Sequence, residues 1–76
     1  MTWDTDIDAR GLLCPLPVLK LRKTLLAMGD GAVVRICTDD PAAMIDIPHF
    51  CQEAGHRLVS QSEDGPLLYS VVMKKG

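Results

Sequence analysis

The stretch Gly11-Leu12-Leu13-Cys14-Pro15-Leu16-Pro17 organises the chain around one thiol. Proline suits the first turn of a helix, where the backbone N–H that it lacks would have no partner. Apolar residues recur at helical spacing after it, which predicts a helix from about Pro15 to Met28 with Cys14 at the cap position. The unpaired N–H groups and the dipole at that end favour the thiolate, which is the nucleophilic form of cysteine.

The residues around Cys14 support the interpretation of a reactive thiol. Arg10 is near enough in sequence to add positive charge, and Gly11 lets the backbone bend before the cysteine. Most free cysteines are instead small buried apolar residues. Cys14 differs from these because it follows a loop, precedes a helix start and stands outside any apolar pattern.

The first helix is predicted to bury one apolar stripe and to end at Gly29 in the left-handed conformation. Arg22 falls inside the apolar arc, so we expect its charged end to reach solvent from the edge of the stripe. The stripe consists of Val18, Leu21, Leu25 and Met28, widened by Leu19 and Leu26.

A second helix is predicted over residues 41–54, with an Asp cap followed by Pro41. Pro48 is expected to interrupt this helix, Asp46 to cap its second half and Gly55 to close it. Strands are predicted over residues 3–8, 32–38, 56–62 and 67–74, with Trp3, Thr5 and Ile7 on one face of the first.

These elements predict an α/β fold, a two-layer β-α-β-α-β-β sandwich with both helices on one face of a four-stranded mixed sheet. A strand, a helix and a strand imply a right-handed parallel crossover. Residues 63–66 carry a hairpin signal that keeps the third and fourth strands adjacent. The fourth strand is the most apolar and suits a central position. The predicted strand order is therefore 1-2-4-3, with the fourth strand antiparallel to the others.

Two blocks of the sequence resemble the TusA family of small sulfur-carrier proteins, also called SirA-like. Cys14-Pro15-Leu16-Pro17 is similar to the family's Cys-Pro-x-Pro motif, and residues 8–12 match its lead-in. Residues 39–51 resemble its second helix, so the resemblance covers nearly the whole chain. It implies the same two-layer fold, and it implies Cys14 as the catalytic residue within an active loop that includes Asp8, Arg10, Gly11, Pro15 and Pro17.

The resemblance implies a sulfurtransferase that works through a persulfide on Cys14. The donor would be a cysteine desulfurase or another persulfide donor, and a downstream protein would accept the sulfur, on the way to 2-thiouridine in transfer RNA or in another sulfur-trafficking pathway. This chemistry requires no cofactor. Leu16 stands where some members carry an acidic residue, which bears on the choice of partner.

Composition narrows the function further. The chain of 76 residues has room for one domain and no deep multi-residue cleft, and its net charge of −2 argues against direct nucleic-acid binding. Residues 1–4 do not begin a signal peptide, and no apolar run is long enough for a membrane span. We therefore expect a cytoplasmic protein with free thiols.

The remaining candidate residues have ordinary structural interpretations. Cys37 and Cys51 are predicted to be core or semi-core thiols, and no cysteine or histidine spacing indicates a metal site. His49 and His56 are ligands, bases or, as is usual for a single histidine, plain surface residues. Asp8 and Asp46 either orient the active loop, as in the family pattern, or serve as a strand-end charge and a helix cap.

A second function remains open from the sequence. The chain could be a non-catalytic redox-sensing or regulatory interaction module, with the open sheet face as its contact surface. A thioredoxin-like reductase is disfavoured because no second cysteine stands at C-x-x-C spacing.

Overall fold

Alternating buried and solvent-facing residues along the strands produce a sheet with one covered face. The computed structural model describes residues 3–75, so the predicted domain of residues 1–76 extends beyond them by residues 1, 2 and 76. The elements are β1 (Thr5–Asp8), α1 (Leu16–Leu26), β2 (Val33–Thr38), α2 (Ala43–Ala54), β3 (Arg57–Asp64) and β4 (Leu67–Met73).

The four strands form one mixed sheet in the order β1-β2-β4-β3. β1 pairs in parallel with β2, and β4 pairs antiparallel with both β2 and β3. The predicted fold class and strand order are confirmed. The acidic β1 lies at an edge of the sheet, where charged side chains discourage pairing with other chains.

Both helices pack on the same face of the sheet and enclose the hydrophobic core. Its aliphatic residues come from every element except β3, whose Leu58 packs against it half-buried. The buried members include Ile7, Leu21, Leu25, Val34, Ile36, Ile47, Cys51 and Val72. The opposite face, which carries Asp6, Arg35, Cys37 and Tyr69, is open.

The first helix is shorter at both ends than the sequence predicts. It begins at Leu16, with Pro15 rather than Cys14 in the cap position, and it ends at Leu26. Gly29 does not adopt the left-handed conformation, which Gly31 adopts instead at φ +83°. The C-terminal cap of α1 is Ala27, in a right-handed helical conformation. A left-handed Gly29 is therefore not needed to end this helix.

The apolar stripe of α1 is also narrower than predicted. Leu21 and Leu25 are buried, whereas Leu19 and Leu26 are 49% and 70% exposed. Arg22 is exposed as well, as expected for a side chain that reaches solvent. One sheet face gives a short helix only one line of contact, so the flanking leucines remain at the surface.

The second helix continues through Pro48 rather than breaking there. A proline leaves the carbonyl four residues earlier without its helical N–H partner. Here that carbonyl belongs to Met44, and Gln61 Nε2 of β3 donates to it at 3.4 Å. Asp46 therefore lies in the first turn of one unbroken helix, not at a second cap, while Gly55 closes the helix at φ +81° as predicted.

Trp3 does not share a face with Ile7, although the sequence predicts that it does. It precedes β1, its Nε1 donates to Asp6 Oδ2 at 2.9 Å, and its ring centroid is 4.2 Å from Arg35 Cζ on the open face. The ring of Tyr69 contacts the same guanidinium group at 4.9 Å. These contacts place the indole on the open face, away from Ile7 in the core.

Cys51 makes the stability of the fold sensitive to alkaline pH. Its thiol is 2% exposed, and burial raises its pKa from 9.0 to about 11. The unfolded chain therefore loses this proton first, and the contribution of the thiol to stability is full below about pH 9 and disappears between about pH 9 and 11. We expect a loss of up to about 3 kcal/mol in the free energy of unfolding over that range.

Urea denaturation at neutral and alkaline pH, on the wild type and on Cys51→Ala, measures this loss. The variant lacks the thiol, and the other alkaline groups are common to both proteins. We expect its free energy of unfolding to fall less between the two conditions. Parallel pH dependences in the two proteins would contradict the assignment to Cys51.

Candidate functional site

The thiol of Cys14 is exposed at the end of the loop between β1 and α1. Its Sγ donates a hydrogen bond to Asp46 Oδ2 at 2.7 Å, and its backbone N–H donates to Asp40 Oδ2 at 2.8 Å. Both acceptors come from the segment that enters and begins α2. The site is thus assembled from two β-α connections rather than from the Cys-Pro motif alone.

Asp39 and Asp40 accept hydrogen bonds from the backbone of this loop, and these bonds form a loop clamp. Asp39 accepts the N–H of Gly11 with both carboxylate oxygens, at 3.0 and 3.1 Å. Gly11 has a φ of +78°, a conformation that a residue with a side chain rarely adopts. Asp40 also accepts the N–H of Ala42 at 3.1 Å, so one carboxylate joins the cysteine loop to the start of α2.

The pKa of the Cys14 thiol lies above its ordinary value. The first cause is the hydrogen bond to Asp46, and partial desolvation and the negative charges of Asp46 and Asp40 act in the same direction. The prediction that the helix start and Arg10 favour the thiolate is therefore wrong in direction. The hydrogen bond to Asp46 and the charges of the two carboxylates near α2 disfavour ionisation of Cys14, so the neutral thiol is favoured.

A cavity of about 270 Å³ opens beside the sulfur. The apolar side chains of Val18 and Phe50 line it, together with polar residues from one face of α2. His49 Nε2 lies 2.9 Å from Glu53 Oε1 within this lining. The full lining is Cys14, Pro15, Val18, Asp46, His49, Phe50 and Glu53.

Asp8 and Arg10 are not part of this cavity. They form a two-pronged ion pair, with Arg10 Nε and Nη2 each 2.9 Å from an oxygen of Asp8, and they line a separate cavity on the open face with Cys37 and Tyr69. The charge of Arg10 is thus directed to Asp8 rather than to the Cys14 sulfur. Asp8 also helps to anchor α1, because its carbonyl accepts Lys20 Nζ at 3.0 Å.

The two prolines have different environments. Pro15 is exposed, follows a cis peptide bond from Cys14 and lines the cavity beside the thiol. Pro17 is buried in the first turn of α1. Of the predicted site residues, the structure brings Cys14, Pro15 and Asp46 together. Gly11 is held within the loop, Pro17 is buried in α1, and Asp8 and Arg10 lie apart from the thiol.

The sequence analysis did not predict that the connection between β2 and α2 contributes to the site. It treated the Asp39-Asp40 pair only as a helix cap, and it linked neither His49 nor Glu53 to the thiol. One signal was available, because Asp46, His49 and Glu53 follow at three- and four-residue spacing and so share one face of a helix. Which face meets Cys14 depends on how α1 and α2 pack.

Loss of the hydrogen bonds to Asp40 is expected to lower the stability of the fold. Replacing Asp40 with alanine removes the acceptor for two backbone N–H groups, and we expect it to lower the free energy of unfolding by about 1–2 kcal/mol. Urea denaturation at neutral pH measures the change. Asp30→Ala is the matched control, since Asp30 makes no hydrogen bond or ion pair within residues 3–75. Equal stability of the two variants would contradict the clamp.

Within residues 3–75, no helix is long and apolar enough to cross a membrane. In the same part of the chain, no three histidine, cysteine or acidic side chains are grouped so that they could hold a metal ion.

The fold and the thiol at a helix start define a small two-layer α/β protein in which one of the three cysteines, Cys14, is exposed. The model of the family described as sulfurtransferase TusA matches residues 5–75. The chain therefore belongs to the TusA family, and this membership supports a general role as a sulfur carrier or sulfurtransferase.

A solved structure shows the same fold. It is the crystal structure of the SirA-like protein from Desulfitobacterium hafniense, to which this chain is similar with a TM-score of 0.83 and 24% sequence identity. The match covers 92% of this chain and 96% of that one. The four-stranded mixed sheet with two helices is thus shared with a SirA-like protein over nearly its whole length.

Proposed function

We propose that the protein carries sulfur as a persulfide on Cys14, taking it from a donor such as a cysteine desulfurase and passing it to an acceptor protein. The observation that carries the proposal is the exposed Cys14 thiol, held by a clamped loop and hydrogen-bonded to Asp46. Accessibility allows the sulfur to meet a partner, and the clamp limits its positions. Family membership supports the same role.

The transfer is a thiol exchange at sulfur. Cys14 Sγ attacks the outer sulfur of the donor persulfide as its proton moves to Asp46 Oδ2. A bond forms between Sγ and the outer sulfur, the S–S bond of the donor breaks, and its electron pair leaves on the donor cysteine as a thiolate. The carrier then holds Cys14–S–SH, and attack by an acceptor thiolate on the terminal sulfur releases Cys14.

Asp46 has two roles in this scheme. Between transfers its hydrogen bond favours the neutral thiol, which is less nucleophilic and less easily oxidised than the thiolate. During attack its carboxylate is the nearest proton acceptor to Sγ. Asp40 and Asp39 act on the backbone and hold the loop in the position that this contact requires.

We further propose that the protein acts in the cytoplasm, where reducing conditions keep its three thiols free. The sulfur would go toward 2-thiouridine formation in transfer RNA or into another sulfur-trafficking pathway. The partners would be proteins, and no direct nucleic-acid contact or cofactor is part of the proposal.

Intact mass after incubation with a cysteine desulfurase and cysteine tests the carrier function. We expect one added sulfur atom on the wild type, lost on reduction. If a matched desulfurase from the same cell adds no sulfur, the carrier proposal is wrong, and the non-catalytic interaction module is the better interpretation.

A further inference from the structure

We infer that His49 is a catalytic residue of the sulfur-transfer site, as the positive partner of the sulfur atom that Cys14 receives; this rests on the proposed function. His49 lines the same cavity of about 270 Å³ as the thiol and lies on the same face of α2 as Asp46. The sequence left His49 open as a ligand, a base or a surface residue.

The residues that line the cavity include only one that can balance negative charge on the transferred sulfur. Among the residues that line it, Asp46 and Glu53 are acidic and Cys14 is itself acidic once it carries sulfur, whereas Pro15, Val18 and Phe50 are uncharged. The terminal S–H of a persulfide ionises more readily than a thiol, so the loaded carrier places a new negative charge beside Asp46. His49 is the one lining side chain that can be positively charged.

Glu53 contacts one nitrogen of the His49 ring. Glu53 Oε1 lies 2.9 Å from His49 Nε2, one turn further along α2. The other ring nitrogen, Nδ1, has no hydrogen-bond partner within residues 3–75. This matches a general arrangement in which a third group orients the residue that serves the nucleophile. The side chains of His49 and Glu53 are 70% and 69% exposed, so a donor cysteine can reach the same space.

Transfer of the outer sulfur from the donor persulfide to Cys14 needs no oxidant, reductant or other reactant. When the donor S–S bond breaks and the new Sγ–S bond forms, the transferred sulfur becomes the terminal atom of Cys14–S–SH. Its proton passes to solvent, and protonated His49 faces the resulting persulfide anion. When an acceptor thiolate attacks that terminal sulfur, the electron pair of the Sγ–S bond returns to Cys14 Sγ, which regains a proton.

The titratable side chains that face His49 are few. Asp46 and Glu53 lie on its own helix, Cys14 lies on the loop before α1, and α1 contributes the uncharged Val18. Among these side chains only His49 can supply positive charge, so its removal should slow the transfer.

Single-turnover transfer from a persulfide-loaded cysteine desulfurase near pH 6, followed by intact mass, tests this role. For His49→Gln we expect a rate about fivefold below the wild type, the size expected of one exposed charge pair. His49→Lys restores a positive side chain at this position, so we expect it to hold the rate near that of the wild type. His56→Gln is the control, because His56 lies outside the cavity and accepts the N–H of Lys75 through Nδ1.

The outcomes separate this inference from the carrier function. An unchanged transfer rate in His49→Gln would overturn the role of His49 while the wild type still loads sulfur. Failure of His49→Lys to restore the rate near pH 6 would also overturn it. If the wild type accepts no sulfur from the desulfurase, the carrier proposal and this inference fall together.

Discussion

Replacing Cys14 with serine is expected to abolish sulfur loading while changing the free energy of unfolding by no more than about 0.5 kcal/mol. Serine has nearly the same shape, and its hydroxyl can donate to Asp46 as the thiol does. The bond from the Cys14 backbone N–H to Asp40 does not depend on the side chain. A hydroxyl cannot form a persulfide, so the variant should lose sulfur loading while its fold stays intact.

Intact mass after exposure to the desulfurase and urea denaturation, applied to the same samples, measure both halves of this result. The other two cysteines provide matched controls. Cys51 is buried in the core and Cys37 is half-buried on the open sheet face, so alanine at either position should leave loading intact at a modest cost in stability. Sulfur on the serine variant would show that the site is not Cys14.

Replacing Asp46 with asparagine is expected to make Cys14 react faster with an alkylating reagent at neutral pH. The hydrogen bond to Asp46 is the largest cause of the raised pKa of the thiol, and the charge of Asp46 adds to it. Asparagine removes the charge and can donate to a thiolate through its amide group. The pKa of the thiol should therefore fall, and the pH–rate profile of alkylation should move to lower pH.

Stopped-flow or timed alkylation with iodoacetamide across a pH series gives this profile. Glu53→Gln removes a carboxylate from the same cavity without touching the sulfur, and we expect it to shift the profile much less. Alkylation of Asp46→Asn that is unchanged, or slower than wild type, would mean that the contact between Asp46 and Cys14 does not control the thiol.

The architecture could be predicted because each part of it has a local physical signal. Period-two alternation marked β1, β-branched residues marked β2, helical spacing of leucines marked α1, and the apolar β4 indicated the central position that it occupies. Gly55 ended α2 as predicted because a left-handed residue is needed there. Boundaries shifted by one or two residues. The predicted Asp cap of α2 is wrong, because Ala42 holds the cap position and Asp40 instead accepts the N–H groups of Ala42 and Cys14.

The sequence by itself determined the α/β class, the strand order and the choice of Cys14, since propensity, periodicity and a motif are written along the chain. Tertiary structure alone decided the electrostatics of the thiol. Cys14 and Asp46 stand 32 residues apart, and only the packing of α1 beside α2 on one sheet face brings Sγ within 2.7 Å of the carboxylate. Asp8 lies on the open face because side chains alternate along β1, and the ion pair with Asp8 keeps Arg10 there. A hydrogen bond acts over a few ångströms of space, and no spacing along the chain states which distant side chain will fill that distance.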